Sequence, residues 1–271
     1  MSRIDETFAR LKREGRGGLI PFITAGDPNI ETTRELLVAL ARAGADVIEL
    51  GVPFSDPIAD GPVIQRASQR ALLNGTSVAQ ILKLLAEVRE ELTVPIVIFS
   101  YLNPLLQYGL SRFASEAALA GVEGVLLTDL PAGETGDFAA ELSAHSLDLI
   151  RLVAPTSTDE RLKTIAEGAS GFIYAVSRTG VTGATTKSSE EAERLVERVR
   201  RVSDLPVAVG FGISSADQVG DVWCYAEAAV VGSAIVAEIE KAGSTDVVQR
   251  VEKFVRSLLP VGSGIDLLVN E

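Results

Sequence analysis

The 271-residue chain sets 25 Lys plus Arg against 37 Asp plus Glu, a formal charge of −12, with 46% hydrophobic and 23% charged residues. This is a globular composition and excludes a disordered, collagenous or coiled-coil chain; the acidic balance, with no Lys/Arg-dense stretch, disfavours nucleic acid as a partner. One Cys and one His exclude a disulfide framework and any multi-Cys or multi-His metal centre.

The opening MSRIDETFARLKREGRGG is charged throughout and lacks the apolar core of a signal peptide. The longest apolar runs, PIVIF (95–99) and AAVVGSAIVA (228–237), fall short of the roughly 18 residues that span a bilayer. A cytoplasmic protein is expected. Short β-branched runs then recur: LIPFIT (19–24), DVIEL (46–50), PIVIFS (95–100), GVLLTD (124–129), DLIRLV (148–153), GFIYAV (171–176), PVAVG (206–210) and AAVVG (228–232). They are continuously apolar, as strands of a parallel sheet are when both faces are covered.

Helical periodicity fills the intervals. Leu36, Leu37, Leu40 and Ala41 share a face in 32–42, Ile81, Leu84, Leu85 and Val88 in 77–92, and Leu195, Val196 and Val199 in 190–202. Gly44, Gly121 and Gly168 stand where helices should stop in a left-handed residue. Ser111, Ser157 or Thr158, Ser188 or Ser189, and Ser214 or Ser215 stand where helices should be capped. Eight strand–helix units of about 34 residues each predict a single-domain (βα)8 TIM barrel over residues 1–271, with an additional N-terminal helix. An open doubly wound sheet is the alternative, but TAGDP stands where its first glycine-rich turn belongs.

Two connections exceed plain strand-to-helix loops. Gly51 to Gly61 is kept from regular helix by Pro53 and Pro57, with Pro62 following, and residues 177–188 are small and polar. Both follow strands, so both belong to the barrel's C-terminal face, where active sites form. The tail after Pro260 reads as a loosely packed terminus.

Glu49 lies among Val47, Ile48 and Leu50, where an unpaired carboxylate is costly to bury. An outward-facing Glu and a proton shuttle with a raised pKa fit this position equally well. Asp56 and Asp60 suit ordinary turns, though Asp60 lies on a loop able to fold back over the Glu49 strand end. GVTG (180–183), GFG (210–212) and VGSA (231–234) follow the last three strands and offer unobstructed amides for a phosphate. Lys12, Lys83, Lys163, Lys241 and Lys253 fall in helical stretches and Lys187 in a loop, which disfavours a Schiff-base lysine. Carboxylate acid–base chemistry remains, with Tyr174 a core residue or a participant. His145 reads as a surface or helix-end residue, Cys224 as core packing beside Trp223 and Tyr225, and Asp27 and Asp129 as loop caps or partner surface.

The segment IELGVPFSDPIADGPVIQ (48–65) closely resembles the signature of the tryptophan synthase alpha chain family. PFITAGDP (21–28), Y-x-N-P (101–104), TDLP (128–131), LVAPTS (152–157), SR-x-GVTG (177–183) and GFGIS (210–214) follow in that family's order. Glu-Ala at 227–228 departs from the family's usual Asp-Gly. The resemblance implies retro-aldol cleavage of indole-3-glycerol phosphate to indole and glyceraldehyde 3-phosphate in tryptophan biosynthesis. By the same resemblance, Glu49 is the general acid/base, Asp60 the carboxylate that meets the indole N–H, and Tyr174 a neighbour of the reacting centre. Thr182 would position Asp60. Phe22, Ile64, Leu126 and Phe211 fall at indole-pocket positions, and Gly183, Gly212, Gly232 and Ser233 at phosphate positions. No cofactor is implied in this chain. The implied partner is a pyridoxal-phosphate beta chain in an alpha2-beta2 heterotetramer, met through Pro53, Phe54, Ser55, Asp56, Pro57 and Asn103. Two other readings stay open: a lyase acting without a beta chain, and a non-catalytic barrel that binds one.

Overall fold

The computed structural model describes residues 1–131, 136–176, 185–210, 212–242 and 246–260, the side chains of 185–189 excepted. Eight parallel strands close in chain order: β1 (Gly18–Thr24), β2 (Ile48–Gly51), β3 (Ile96–Ser100), β4 (Val122–Leu127), β5 (Asp148–Val153), β6 (Ile173–Val176), β7 (Val207–Gly210) and β8 (Ala228–Val231). The β1–β8 ladder, Gly18 to Pro21 against Ala228 to Val231, closes the barrel and excludes the open sheet.

The strands are apolar throughout because each face has its own core. Leu19, Ile23, Ile48, Leu50, Ile98, Val125, Val153 and Val231 point outward. They meet a ring of helices: α2 (Ile30–Arg42), α3 (Pro62–Leu73), α4 (Val78–Val88), α5 (Leu102–Tyr108), α6 (Leu110–Leu119), α7 (Gly136–Ala144), α8 (Asp159–Glu167), α9 (Thr185–Arg200), α10 (Ala216–Trp223), α11 (Ser233–Ala242) and α12 (Val247–Ser257). Ile20, Val47, Val97, Leu126, Ile150, Phe172, Ala208 and Val230 fill the interior. Such a barrel is a packed core rather than a pore.

The N-terminal helix α1 (Arg3–Glu14) adds Ile4, Phe8 and Leu11 to that interior, with Phe8 5.6 Å from Phe172. Ser2 and Asp5 cap each other's backbone at its start, and Gly15 ends it at φ 68°. Asp46, 3% exposed, fastens α1 and β1 by accepting from Arg10, Arg16 and the Leu19 amide. Nothing in a strand-start Asp announces that role until the chain folds.

Several local expectations change. Gly44 and Gly121 take φ of 102° and 85°, but Gly168 caps α8 at φ −99°, and Gly171 makes the left-handed turn into β6 at 72°. Thr158 and Ser215 cap α8 and α10, whereas Ser111 lies one residue inside α6, which starts from Gly109. Lys187, Ser188 and Ser189 lie within α9, which begins earlier than its periodicity implied. Cys224 is exposed rather than core, because Trp223 takes the inward position, donating from Nε1 to the Gly18 carbonyl at 2.9 Å. Among the described residues no helix is long and apolar enough to cross a membrane. The tail 261–271 lies outside them.

Candidate active site

Glu49 pairs in register with Phe22 on β1 and Val97 on β3. Val97 belongs to the barrel interior. Residues level across parallel strands point the same way, so Glu49 enters the barrel and not the solvent. It is 1% exposed, and neither carboxylate oxygen has a hydrogen-bond partner among the described residues. Burial alone pushes its pKa up to about 8. The group is therefore protonated at neutral pH and close enough to neutrality to give and take a proton.

Tyr174 enters the interior from β6 beside Leu152 and Ala208. Burial first, and the Glu49 charge second, raise its phenol well above the ordinary value. Its hydroxyl lies against Gly210, where an added Cβ would come within 2.1 Å. A glycine at β7 is thus a space requirement of the tyrosine.

Residues 52–61 fold back as a loop, and Gly61 and Pro62 then start α3, Pro at the first position of a helix being well tolerated. The Tyr101 hydroxyl accepts from the Ala59 amide at 2.9 Å and donates toward the Asp60 carboxylate. Burial raises Asp60 to about 6 while the Tyr101 hydrogen bond holds it down. Burial and the Asp60 charge together push the Tyr101 phenol to about 12. Asp60 and Glu49 are thereby held apart in protonation state near pH 7, the usual signature of divided acid and base roles.

An apolar pocket adjoins them. Phe22, 5% exposed, stands edge-on to Phe99 at 5.2 Å and packs with Ile64, Val63, Ala67 and Val236. Leu126 is fully buried in the interior, where Phe99, Leu152 and Tyr174 also pack. Phe99 thus joins the α3 side of the mouth to the barrel floor. A Cβ on Gly51 would approach Phe22 Cζ to 2.5 Å.

Gly232 precedes α11, and its carbonyl accepts from the Ile235 and Val236 amides. The first-turn amides that follow, including that of Ser233, have no acceptor within the helix and favour an anion. Gly232 lies beside Phe22, its Cβ position 3.5 Å from the ring. Gly212 turns the chain at φ 74° after β7. Thr182, Gly183 and Phe211 lie outside the described residues.

Of the partner-surface candidates, Ser55, Asp56 and Asn103 are exposed, Pro57 is half-buried and Pro53 buried. Phe54 is only partly exposed, because its ring packs on Tyr101 at 5.0 Å. One loop therefore presents its outer side to solvent and its inner side to the residue that holds Asp60.

Sequence reasoning left Tyr101 without a role. Its place immediately after β3, level with the start of the Glu49 loop, was the available signal. Asp27, 1% exposed, is neither a loop cap nor a surface, since Arg70 grips it at 2.7 and 2.9 Å and ties the β1 end to α3. Asp129 does cap, accepting from the Leu102 amide at 2.7 Å. His145 follows α7, half-buried and 3.6 Å from Glu141, far in the chain from any candidate site residue.

Comparison with known proteins shows the family. The family model for the tryptophan synthase alpha chain matches residues 8–260. The chain belongs to that family. A tryptophan synthase alpha chain of Solibacter usitatus is 49% identical over 259 residues, covering 95% of this chain and 97% of that one. That of Acidiphilium cryptum is 51% identical over 240 residues, 88% and 87% of the two chains. Among solved structures, the alpha subunit from Legionella pneumophila superposes with a TM-score of 0.88 at 38% identity, over 95% of this chain and 97% of the other. A ligand-free tryptophan synthase from M. tuberculosis gives 0.86 at 36% identity, over 95% and 98%. The chain is accordingly a carbon–carbon lyase of tryptophan biosynthesis that cleaves indole-3-glycerol phosphate.

Proposed function

We propose that Glu49 runs this cleavage as a single-residue proton relay, with Asp60 as its electrostatic counterpart. The indole ring lies among Phe22, Ile64, Leu126 and Phe211, and the phosphate on the amides of Gly183, Gly212, Gly232 and Ser233. Protonated Glu49 gives its proton to indole C3, producing a cationic indolenine. Ionised Asp60, which Thr182 and Tyr101 position, accepts from the ring N–H and stabilises that charge. Glu49, now a carboxylate, takes the proton of the side-chain hydroxyl as the C3–carbon bond breaks and its electron pair returns to the ring. Indole and glyceraldehyde 3-phosphate leave, and Glu49 is again protonated. Tyr174 shapes the site around Glu49.

The observation that carries this reading is the buried Glu49 carboxyl, both of whose oxygens are without a hydrogen-bond partner among the described residues. A purely structural carboxyl in such surroundings would be hydrogen-bonded.

The chain works here as the alpha subunit of an alpha2-beta2 heterotetramer, a cytoplasmic assembly in which the beta chain carries pyridoxal phosphate and receives the indole. Pro53, Phe54, Ser55, Asp56, Pro57 and Asn103 meet that partner. Support comes from the loop's two-sided placement between solvent and Tyr101. Indole release from indole-3-glycerol phosphate by the isolated chain, by Glu49→Gln, and by each with a beta chain tests both statements. A slow rate alone, a large gain with the beta chain and near-complete loss in the variant are expected; an active variant would remove Glu49 from the mechanism.

A further inference from the structure

A cleft of about 320 Å3, of which Glu49 is not a lining residue, opens between the C-terminal ends of β4 and β5 and helix α8. Leu130 and Ile165 give it apolar walls, and Arg151, Arg161 and Ser157 give it polar ones. Arg151 is anomalous there. It occupies an outward position on β5 between Leu149 and Val153, both members of the outer core. It is 4% exposed. Its Nη2 donates to the Leu130 carbonyl at 3.3 Å, and Nη1 has no partner among the described residues.

The deeply buried carboxylates outside the Glu49 site do not behave this way. Asp27 and Asp46 are each gripped by arginine. Arg151 instead faces a second cation: burial, and then the Arg161 charge, hold its guanidinium below its ordinary pKa. Two cations beside a cleft, one of them buried with an idle donor, call for an anion. Ser157 Oγ accepts from the Ala154 amide at 3.2 Å, which leaves its own hydrogen to donate. The apolar walls call for more than a bare ion, and the volume suits a ring-sized body.

We propose that this cleft binds a small organic carboxylate with a compact apolar body, its carboxylate on Arg151 Nη1 and its body against Leu130 and Ile165. Arg161 stands at the rim as a second, exposed charge. The proposal rests on Arg151 and its cleft and does not depend on how the Glu49 chemistry runs.

The test titrates the full chain with benzoate, and with inorganic phosphate as the head group alone, by calorimetry and by amide chemical shifts. Arg151→Met keeps the packing and removes the charge, a change that folds well when a buried ion has no partner. Benzoate is expected to bind saturably and to lose at least about tenfold in affinity in that variant. Arg161→Ala should weaken it less, and Arg151→Lys, which keeps charge but not the planar fork, should fall between wild type and Arg151→Met. Chemical-shift changes should centre on Leu130, Ser157 and Ile165. Equal benzoate affinity in wild type and Arg151→Met, or changes centred on the Phe22 pocket, would overturn the proposal. So would phosphate binding that depends on Arg151 as strongly as benzoate binding does, since the apolar body would then count for nothing.

Discussion

Phe22 and Glu49 are register partners on β1 and β2, so an aromatic ring and a carboxyl enter the barrel at the same level. The ring and its neighbours withhold water from the acid, and this desolvation alone raises the Glu49 pKa to about 8. The fold thus holds the acid in its uncharged form at neutral pH.

Glu49→Gln should therefore abolish turnover and stabilise the protein. The folded pKa lies above the ordinary value of 4.5, so wild-type stability is intact below about 4.5 and erodes as pH rises toward about 8. Gln does not ionise, so the variant's advantage should grow across that window to a few kcal/mol, at about 1.4 kcal/mol for each pH unit crossed. Urea unfolding of both proteins at pH 5 and pH 8 measures it. An advantage that did not grow with pH would mean that Glu49 is solvated.

The pH profile of kcat/KM should be a bell. Asp60 must be ionised, so activity rises as pH passes about 6; Glu49 must start protonated, so activity falls as pH passes about 8. Steady-state indole release across roughly pH 5 to 9.5 shows both limbs. An alkaline plateau would mean that Glu49 begins the reaction as a base.

Tyr101→Phe removes the hydroxyl that lowers Asp60 and accepts from Ala59. The acidic limb should move to higher pH while the alkaline limb stays, with a stability loss of about 1 kcal/mol. A uniform loss of rate with no displacement of the acidic limb would assign Tyr101 to packing alone.

Gly210→Ala would set a Cβ 2.1 Å from the Tyr174 hydroxyl. The tyrosine must move, at about 1–3 kcal/mol of stability and with a fall in kcat. Pairing it with Tyr174→Phe, which removes the clashing atom, should restore part of the stability; thermal unfolding of both variants checks this.

Arg70→Met would strand the Asp27 carboxylate, 1% exposed, without its bidentate partner. A loss of about 3–5 kcal/mol, read by urea unfolding, is expected near neutral pH. Asp27→Asn, which keeps a hydrogen-bond acceptor for the arginine, should lose less.

A parallel sheet was legible because its strands need two buried faces; eight strand–helix units without a glycine-rich first turn favoured the closed form, and the β1–β8 ladder settled it. Strand β5 matches its run to the residue, Asp148–Val153. Glu49 was legible for the same reason inverted, since an acid in such a run needs a cause. Helix ends were read less well: whether Gly168 or Gly171 turns the chain depends on what each would collide with, and a Cβ on Gly171 would lie 3.1 Å from the Asp148 side chain.

By itself the sequence determined the periodicities, the absence of catalytic lysine or histidine clusters, and the family motif, because all of these are local patterns. Only the tertiary structure decided that Glu49 is buried without a partner among the described residues, that Tyr101 reaches Asp60, that Asp27 is held by Arg70 and that Arg151 is buried beside another cation. Those facts depend on which side chains close a given volume. Desolvation, which sets the charge of each group, belongs to that enclosed volume and not to any residue within it.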